Sequence, residues 1–466
     1  MAWYGVLKAG LVPVCTLAAH RGHEIGQISR RVGAVAHLVE TTGQGFDLVG
    51  FAVGQQRDHP TLRHVLVLGA DDRGISMDSL GADTDPRTAR LMVEKAQSGI
   101  DPDDVAVFQL SGGTTGVPKV IPRLHAEYWY NAVQYARSWG WGPGSRVAHL
   151  MPVIHNAGIT CALHASHSAG ACLILAVADL DASLPLLTGE GVTHVLLGQA
   201  HFAAFDSPGF AAAARTLTEV VLSGTKVPPR VFDALEDNGL WSGQLFGMGE
   251  GLLCTTRPGT VRQARATTVG TPISPLDEVR VLAPGGADEL PDGQVGELCC
   301  RGPYTVRGYF DAPEHNARAF TSDGFYRTGD LASIQTIEGG RFISIEGRIK
   351  DLINRGGEKI NAEEVEQLLL RHPRVTAAVA VAMPDPRLGE RTCAYIVVRG
   401  EPLTLAEVQQ HFAGLQVAKF KWPERIEHLS QLPRTNVGKV DKKGLQADIA
   451  AKLAAAAPVA VPWHPA

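Results

Sequence analysis

Gln109-Leu-Ser-Gly-Gly-Thr-Thr-Gly-Val-Pro-Lys119 is the stretch on which the reading of the chain turns. The apolar run Val105–Leu110 leads into it and reads as a buried strand. Nearly every residue that follows is Gly, Ser or Thr, and glycine lets a backbone turn tightly and approach a ligand closely. Bare N–H groups, the hydroxyls of Ser111, Thr114 and Thr115, and the Lys119 ammonium together suit a polyphosphate. The pattern G-x-x-x-x-G-K-[ST] does not fit. Pro118 separates the last glycine, Gly116, from Lys119, and Val120 stands where a magnesium-binding Ser or Thr is required.

Working outward, 466 residues predict two or more domains at roughly 150 residues each. A hydrophobic content of 45% allows sizeable cores. A net charge of −5 argues against a nucleic-acid binder, which carries a basic excess. The seven cysteines are scattered and odd in number, with no CxxC, so neither a disulfide framework nor a zinc site is expected. No apolar run reaches the ~18 residues a membrane helix needs. Met1–Gly10 lacks a charged leader and a small-residue cleavage site, and a cytoplasmic location is the expectation.

Along the chain, strands and helices alternate and predict a βαβ sheet. The expected elements are a helix end at 3–10, strands at 12–17, 34–39 and 63–68, and a helix at 24–32. A polar surface excursion follows over 71–104, and then a helix over 126–139 stopped by Gly140. The alternation continues through strand 171–177, helix 180–189, strands 193–197 and 219–222, and a helix opened by Pro229. Strands over 278–282 and 294–301 have turns at Pro284-Gly-Gly and Pro291-Asp-Gly. From Asn361 the pattern becomes α+β, and the Ala/Pro-rich 454–466 reads as a disordered tail.

Ser111-Gly-Gly-Thr-Thr-Gly-Val-Pro-Lys119 resembles the phosphate loop of the adenylate-forming superfamily: acyl-CoA synthetases, luciferases and peptide-synthetase adenylation domains. Further boxes follow in family order. They are His155-Asn156, Gln244-Leu-Phe-Gly-Met-Gly-Glu250, Tyr326-Arg-Thr-Gly-Asp330, Gly347-Arg348-Ile-Lys350-Asp351 and Pro433-Arg-Thr-Asn-Val-Gly-Lys439. His155-Asn156 and Gly302-Pro-Tyr-Thr-Val-Arg-Gly-Tyr309 point to the branch resembling stand-alone aryl-acid–AMP ligases, such as those for 2,3-dihydroxybenzoate and salicylate. The resemblance implies an α/β fold. A large N-terminal AMP-binding domain with layered sheets and a small barrel-like subdomain (1–350) would precede a mobile α+β C-terminal domain (351–453). In that family more chain precedes Lys8, so the expectation is a start further upstream and a missing first segment.

The resemblance also implies roles. Ser111, Gly112, Gly113, Thr114, Thr115, Gly116, Lys119, Gly224, Phe246, Gly247, Asp330 and Arg348 would bind ATP, with Asp330 on the ribose hydroxyls. Glu250 would hold Mg²⁺ on the phosphates. Lys439 would act on the carboxylate and α-phosphate as charge develops. His155, Asn156, Ala157, Cys161, Gly224, Thr225, Leu245, Gly249 and Leu253 would line the acid site, His155 also gating it. Lys350 and Asp351 would form the hinge. The reaction implied is aryl-acid adenylation with release of pyrophosphate, then transfer to a phosphopantetheine thiol on an aryl carrier protein. Aryl-CoA ligation and a non-catalytic binding protein are the alternatives. Two departures bear on the acid. Cys161 stands where dihydroxybenzoate enzymes tend to place Ser, and Ala157 replaces a bulky aromatic. Both favour salicylate or a larger aryl acid.

Overall fold

The structure, a computed structural model, describes residues 2–17, 20–41, 45–111, 119–223, 227–355, 358–415, 417, 419–435 and 439–456. The chain divides into two compact units. One is Met1–Val279 with Cys300–Arg327, the other Arg280–Cys299 with Thr328–Ala466. The expected boundary after residue 350 does not coincide with this division, because most of the strand Tyr326–Ile337 and all of Gly340–Arg348 group with the C-terminal part.

In the first unit a seven-stranded sheet carries the core. Its order is Thr271–Pro272, Leu253–Thr255, Trp241–Gly247, Glu219–Ser223, His194–Gly198, Arg146–His149 and Cys172–Leu175. The strands from 241–247 to 172–175 run parallel, and the two at 253–255 and 271–272 are antiparallel additions. Parallel strands are covered on both faces, which is why they read as unbroken apolar runs. Alternation still sorts their side chains. Val195, Leu197, Val220 and Leu222 enter one cluster with the helices Leu180–Gly189 and Pro229–Asp237. Leu196, Val221 and Leu245 enter the other, under the helix His125–Ser138.

A separate three-stranded parallel sheet is made by Ala36–Glu40, His64–Leu68 and Ile75–Ser76. The expected strand at 12–17 is reduced to a single bridge, Val14 with Phe108. Pro13 cannot donate to a ladder, which limits regular pairing there. The excursion at 71–104 is not all loop, since Pro86–Gln97 is a helix capped by Asp85, with no buried residue. An amphipathic surface helix of polar composition carries a weak apolar signal.

The second unit holds most of a four-stranded sheet, ordered Glu278–Leu282, Gly296–Arg301, Tyr326–Ile337, Gly340–Arg348. It also holds a five-stranded sheet built around the hairpin Val375–Asp385/Gly389–Val398. Asn361 caps the helix Ala362–Leu370, its Oδ1 accepting the Glu363 N–H at 3.0 Å. A last helix, Lys442–Ala456, packs Leu445 and Ile449 on that hairpin, so residues 454–456 of the expected tail are helical. Lys442 is half-buried. Its Nζ lies 2.8 Å from Glu366 Oε1 and 3.7 Å from Asp351 Oδ2.

Candidate active site

The phosphate-loop sequence sits in a hairpin. Val105–Leu110 pairs antiparallel with Val120–Leu124, and residues 112–118 between them, hence Gly112, Gly113, Thr114, Thr115 and Gly116, lie outside the described residues. Strand–loop–strand geometry agrees with the exclusion of a strand–loop–helix phosphate motif. Ser111 and Lys119 close the base of the loop. The Ser111 N–H donates to the Lys119 carbonyl at 2.9 Å, and the Lys119 N–H donates to Ser111 Oγ at 3.0 Å.

The Lys119 ammonium lies 4.2 Å from the centre of the Tyr309 ring and 2.9 Å from His315 Nε2. The Tyr309 hydroxyl donates to Glu250 Oε1 at 2.6 Å and lies 2.7 Å from the Tyr326 hydroxyl. One aromatic ring thus carries the candidate phosphate cation on its face and the candidate magnesium ligand at its tip. Burial raises the Tyr309 phenol, so it stays a donor, and burial with Lys119 beside it lowers His315.

The Glu250 loop is held from beneath by Arg123, which is buried. Arg123 donates to the Gly249 carbonyl at 2.6 Å and the Tyr304 carbonyl at 2.7 Å, with Glu127 at 3.5 Å. A Cβ at Gly249 would stand 2.9 Å from Ile121 Cδ1, so a side chain there would have to shift the tip of Ile121. A single carboxylate with one oxygen already oriented fits Mg²⁺, which takes one or two carboxylates and completes its shell with substrate phosphates and water. Among the described residues no cluster of three or more His, Cys, Asp or Glu forms a metal cage.

On the acid side, Ala157, Cys161, Leu245 and Leu253 all join the apolar cluster under the helix His125–Ser138. Cys161 lies in a π-helical segment, Ile159–His164, a form that recurs at functional sites. Burial pushes its thiol up to about 12, so it is a neutral, small apolar group at working pH. Phe246 is half-buried and pairs across the strand with Cys254. Gly247 faces Leu253, and a Cβ there would have to displace Leu253 Cδ2.

Asn156 is half-buried, and its Oδ1 accepts from the Tyr128 hydroxyl at 3.0 Å. His155 is exposed, and its Nδ1 accepts the Ala157 N–H at 3.3 Å, capping the short helix Asn156–Gly158. His155 also helps to lower the buried His149 to about 4, after burial itself. Gly224 and Thr225 lie outside the described residues.

In the second unit Asp330 is buried, and Arg348 Nε lies 2.9 Å from its Oδ1. Lys350 and Asp351 fall in a short 3-10 turn, Ile349–Asp351. Lys439 is exposed, and its carbonyl accepts the Thr435 N–H at 2.7 Å.

The sequence reading missed Arg123, Tyr128, Asn131, Tyr309 and His315. The available signal was polar residues on apolar elements. Arg123, Glu127, Tyr128 and Asn131 are all buried, and a buried polar side chain needs partners. Asn131 supplies one, donating to the Gly251 carbonyl at 3.2 Å.

The AMP-binding enzyme family matches residues 1–310, and the AMP-binding enzyme C-terminal domain matches 364–439. The chain is 39% identical to a Salicylyl-CoA synthase / salicylate adenylyltransferase from a Streptomyces species, over 94% of this chain and 80% of that one. It is 35% identical to the 2,3-dihydroxybenzoate-AMP ligase of Bacillus subtilis, over 97% and 82%. The apo structure of Mycobacterium smegmatis MbtA is similar with a TM-score of 0.65, at 35% identity over 96% of this chain and 82% of that one.

Proposed function

Because the chain belongs to the AMP-binding enzyme family, we propose that it activates an aryl carboxylic acid with ATP and hands the acyl group to a phosphopantetheine thiol of a carrier protein. The observation that carries this reading is the pairing within one unit of two features. They are the apolar cluster of Ala157, Cys161, Leu245 and Leu253 beside the Asn156 amide, and the Lys119–Tyr309–Glu250 group.

In the first step a carboxylate oxygen of the acid attacks the α-phosphorus of ATP. The bond to the β-phosphate bridging oxygen breaks and pyrophosphate leaves. Lys119 and the Ser111–Lys119 loop are proposed for the phosphates, Asp330 for the ribose and Arg348 beside it. Magnesium, when bound at Glu250, would neutralise phosphate charge. Lys439 is proposed to stabilise charge on the carboxylate and α-phosphate, and a mobile region beginning at the hinge Lys350-Asp351 to serve the second step. There the thiol sulfur attacks the acyl carbon, the acyl–phosphate oxygen bond breaks and AMP leaves. Positioning and charge stabilisation account for the catalysis, with no covalent enzyme intermediate. The same reading places the enzyme in the cytoplasm, and no described helix is long and apolar enough to cross a membrane.

Cys161 and Ala157 favour salicylate or a bicyclic hydroxy acid. A neutral thiol is a poor partner for a 3-hydroxyl, and a small side chain at 157 leaves room. Aryl-acid-dependent ATP–pyrophosphate exchange tests this with salicylate, 2,3-dihydroxybenzoate and bicyclic hydroxy acids. Salicylate or a bicyclic acid is expected to lead. A wide lead for 2,3-dihydroxybenzoate overturns the choice of acid, and no exchange with any of them overturns the ligase. Coenzyme A as acceptor is the second reading, favoured by the name of the Streptomyces relative. Thioester formation with each acceptor separates the two.

A further inference from the structure

We propose that Tyr128 is a positioning residue that sets the acid preference of the site by fixing which end of the Asn156 amide faces the substrate. This rests on the aryl-acid reading above. Gln109 Nε2 donates to the Tyr128 hydroxyl oxygen at 2.9 Å, and the Tyr128 O–H donates to Asn156 Oδ1 at 3.0 Å. Gln109 and Tyr128 are 3% and 1% exposed, so water does not compete for these bonds. A phenol has one proton. With Gln109 donating in, Tyr128 must donate out, and burial keeps that phenol protonated.

Asn156 therefore turns its oxygen to Tyr128 and its Nδ2 away. Among the described residues Nδ2 has no hydrogen-bond partner. The main chain cannot swing to undo this. Thr160 Oγ1 donates to the Asn156 carbonyl at 2.7 Å, and Gly158 sits so close to Val153 that a Cβ would lie 2.5 Å from its carbonyl oxygen.

On the aryl-acid reading, with the acid beside Asn156, the amide offers it a donor. An ortho-hydroxyl oxygen next to a carboxylate accepts from it. An ortho-amino group presents N–H to N–H. The structure thus assigns the preference for 2-hydroxy over 2-amino aryl acids to a relay whose first two members lie outside the substrate-lining set.

The test is ATP–pyrophosphate exchange with salicylate and 2-aminobenzoate on the full chain and on Tyr128→Phe. The wild type is expected to favour salicylate in kcat/KM. In Tyr128→Phe the amide is free to turn, and the salicylate/2-aminobenzoate ratio should fall about tenfold, the size of one buried hydrogen bond. A fall shared equally by both acids, leaving the ratio unchanged, makes Tyr128 a purely structural residue and overturns the proposal. So does a wild type with no preference between the two. Should Tyr128→Phe show no cooperative melt, Gln109→Leu replaces it. Removing the inward donor lets the Asn156 amine turn towards the phenol oxygen, so the ratio should again fall, and an unchanged ratio overturns the relay. Absence of exchange with every aryl acid in the wild type is a different outcome, since it removes the aryl-acid reading itself.

Discussion

Arg348 stands directly opposite Asp330 in the antiparallel pair Tyr326–Ile337/Gly340–Arg348, with its Nε 2.9 Å from Asp330 Oδ1. The pair places a buried acceptor with an exposed cation beside it, where a ribose diol would donate. Asp330→Ala is expected to lower kcat/KM for ATP by about two orders of magnitude, from the loss of two charge-assisted hydrogen bonds of about 1.5 kcal/mol each. Arg348→Leu should cost far less. Steady-state kinetics in ATP check both, and equal effects would remove the ribose role of Asp330.

Tyr309 joins Lys119 and Glu250, so Tyr309→Phe keeps the ring under the ammonium and removes only the donor to the carboxylate. The expected outcome is a several-fold rise in the magnesium concentration for half-maximal exchange, with kcat at saturating magnesium little changed. Titrating magnesium at fixed ATP reads this. An unchanged midpoint would separate Tyr309 from the metal.

Gly158 has no room for a methyl group, since a Cβ there would stand 2.5–2.8 Å from Val153 backbone atoms. Backbone cannot yield as a flexible side chain does. Gly158→Ala is expected to destabilise the first unit by about 1–3 kcal/mol, the usual size of overpacking, and to weaken acid binding through its neighbour Asn156. Urea denaturation followed by fluorescence measures the first effect.

Asp277 is raised from 3.8 to about 6, mainly by burial, even though the Tyr304 hydroxyl donates to its Oδ2. Among the described residues its other oxygen, Oδ1, is buried without a partner. A carboxyl raised in the folded state adds stability that is fully present below its unfolded value and lost as pH rises through about 6. The loss is about 2–3 kcal/mol at most. Asp277→Asn keeps an acceptor for Tyr304 and carries no charge. The variant should be more stable than the wild type at pH 8, with the difference vanishing towards pH 4. Melting temperatures across that range test the sign.

Lys442 compensates Glu366, which burial raises and Lys442 opposes. Lys442→Met leaves that carboxylate unpaired and should destabilise the second unit by about 3–5 kcal/mol. A double variant with Glu366→Gln should recover much of the loss. Lack of recovery would mean that the lysine stem, not its charge, supplies the stability.

By itself the sequence determined the family, the α/β alternation and the order of the site boxes. Those signals are local. Val105–Leu110 and Leu180–Gly189 appear with the bounds their apolar patterns predict, because a buried strand or a capped helix is written in consecutive residues. Ala157, Cys161, Leu245 and Leu253, four of the residues expected around the acid, lie in one apolar cluster. Tertiary structure alone decided what holds these residues. Tyr128 meets Asn156 across 28 positions, Tyr309 meets Glu250 across 59, and Arg123 meets the Gly249 carbonyl across 126. No periodicity encodes such pairings. A buried donor must find an acceptor, and which one it finds depends on where the sheet brings distant segments together.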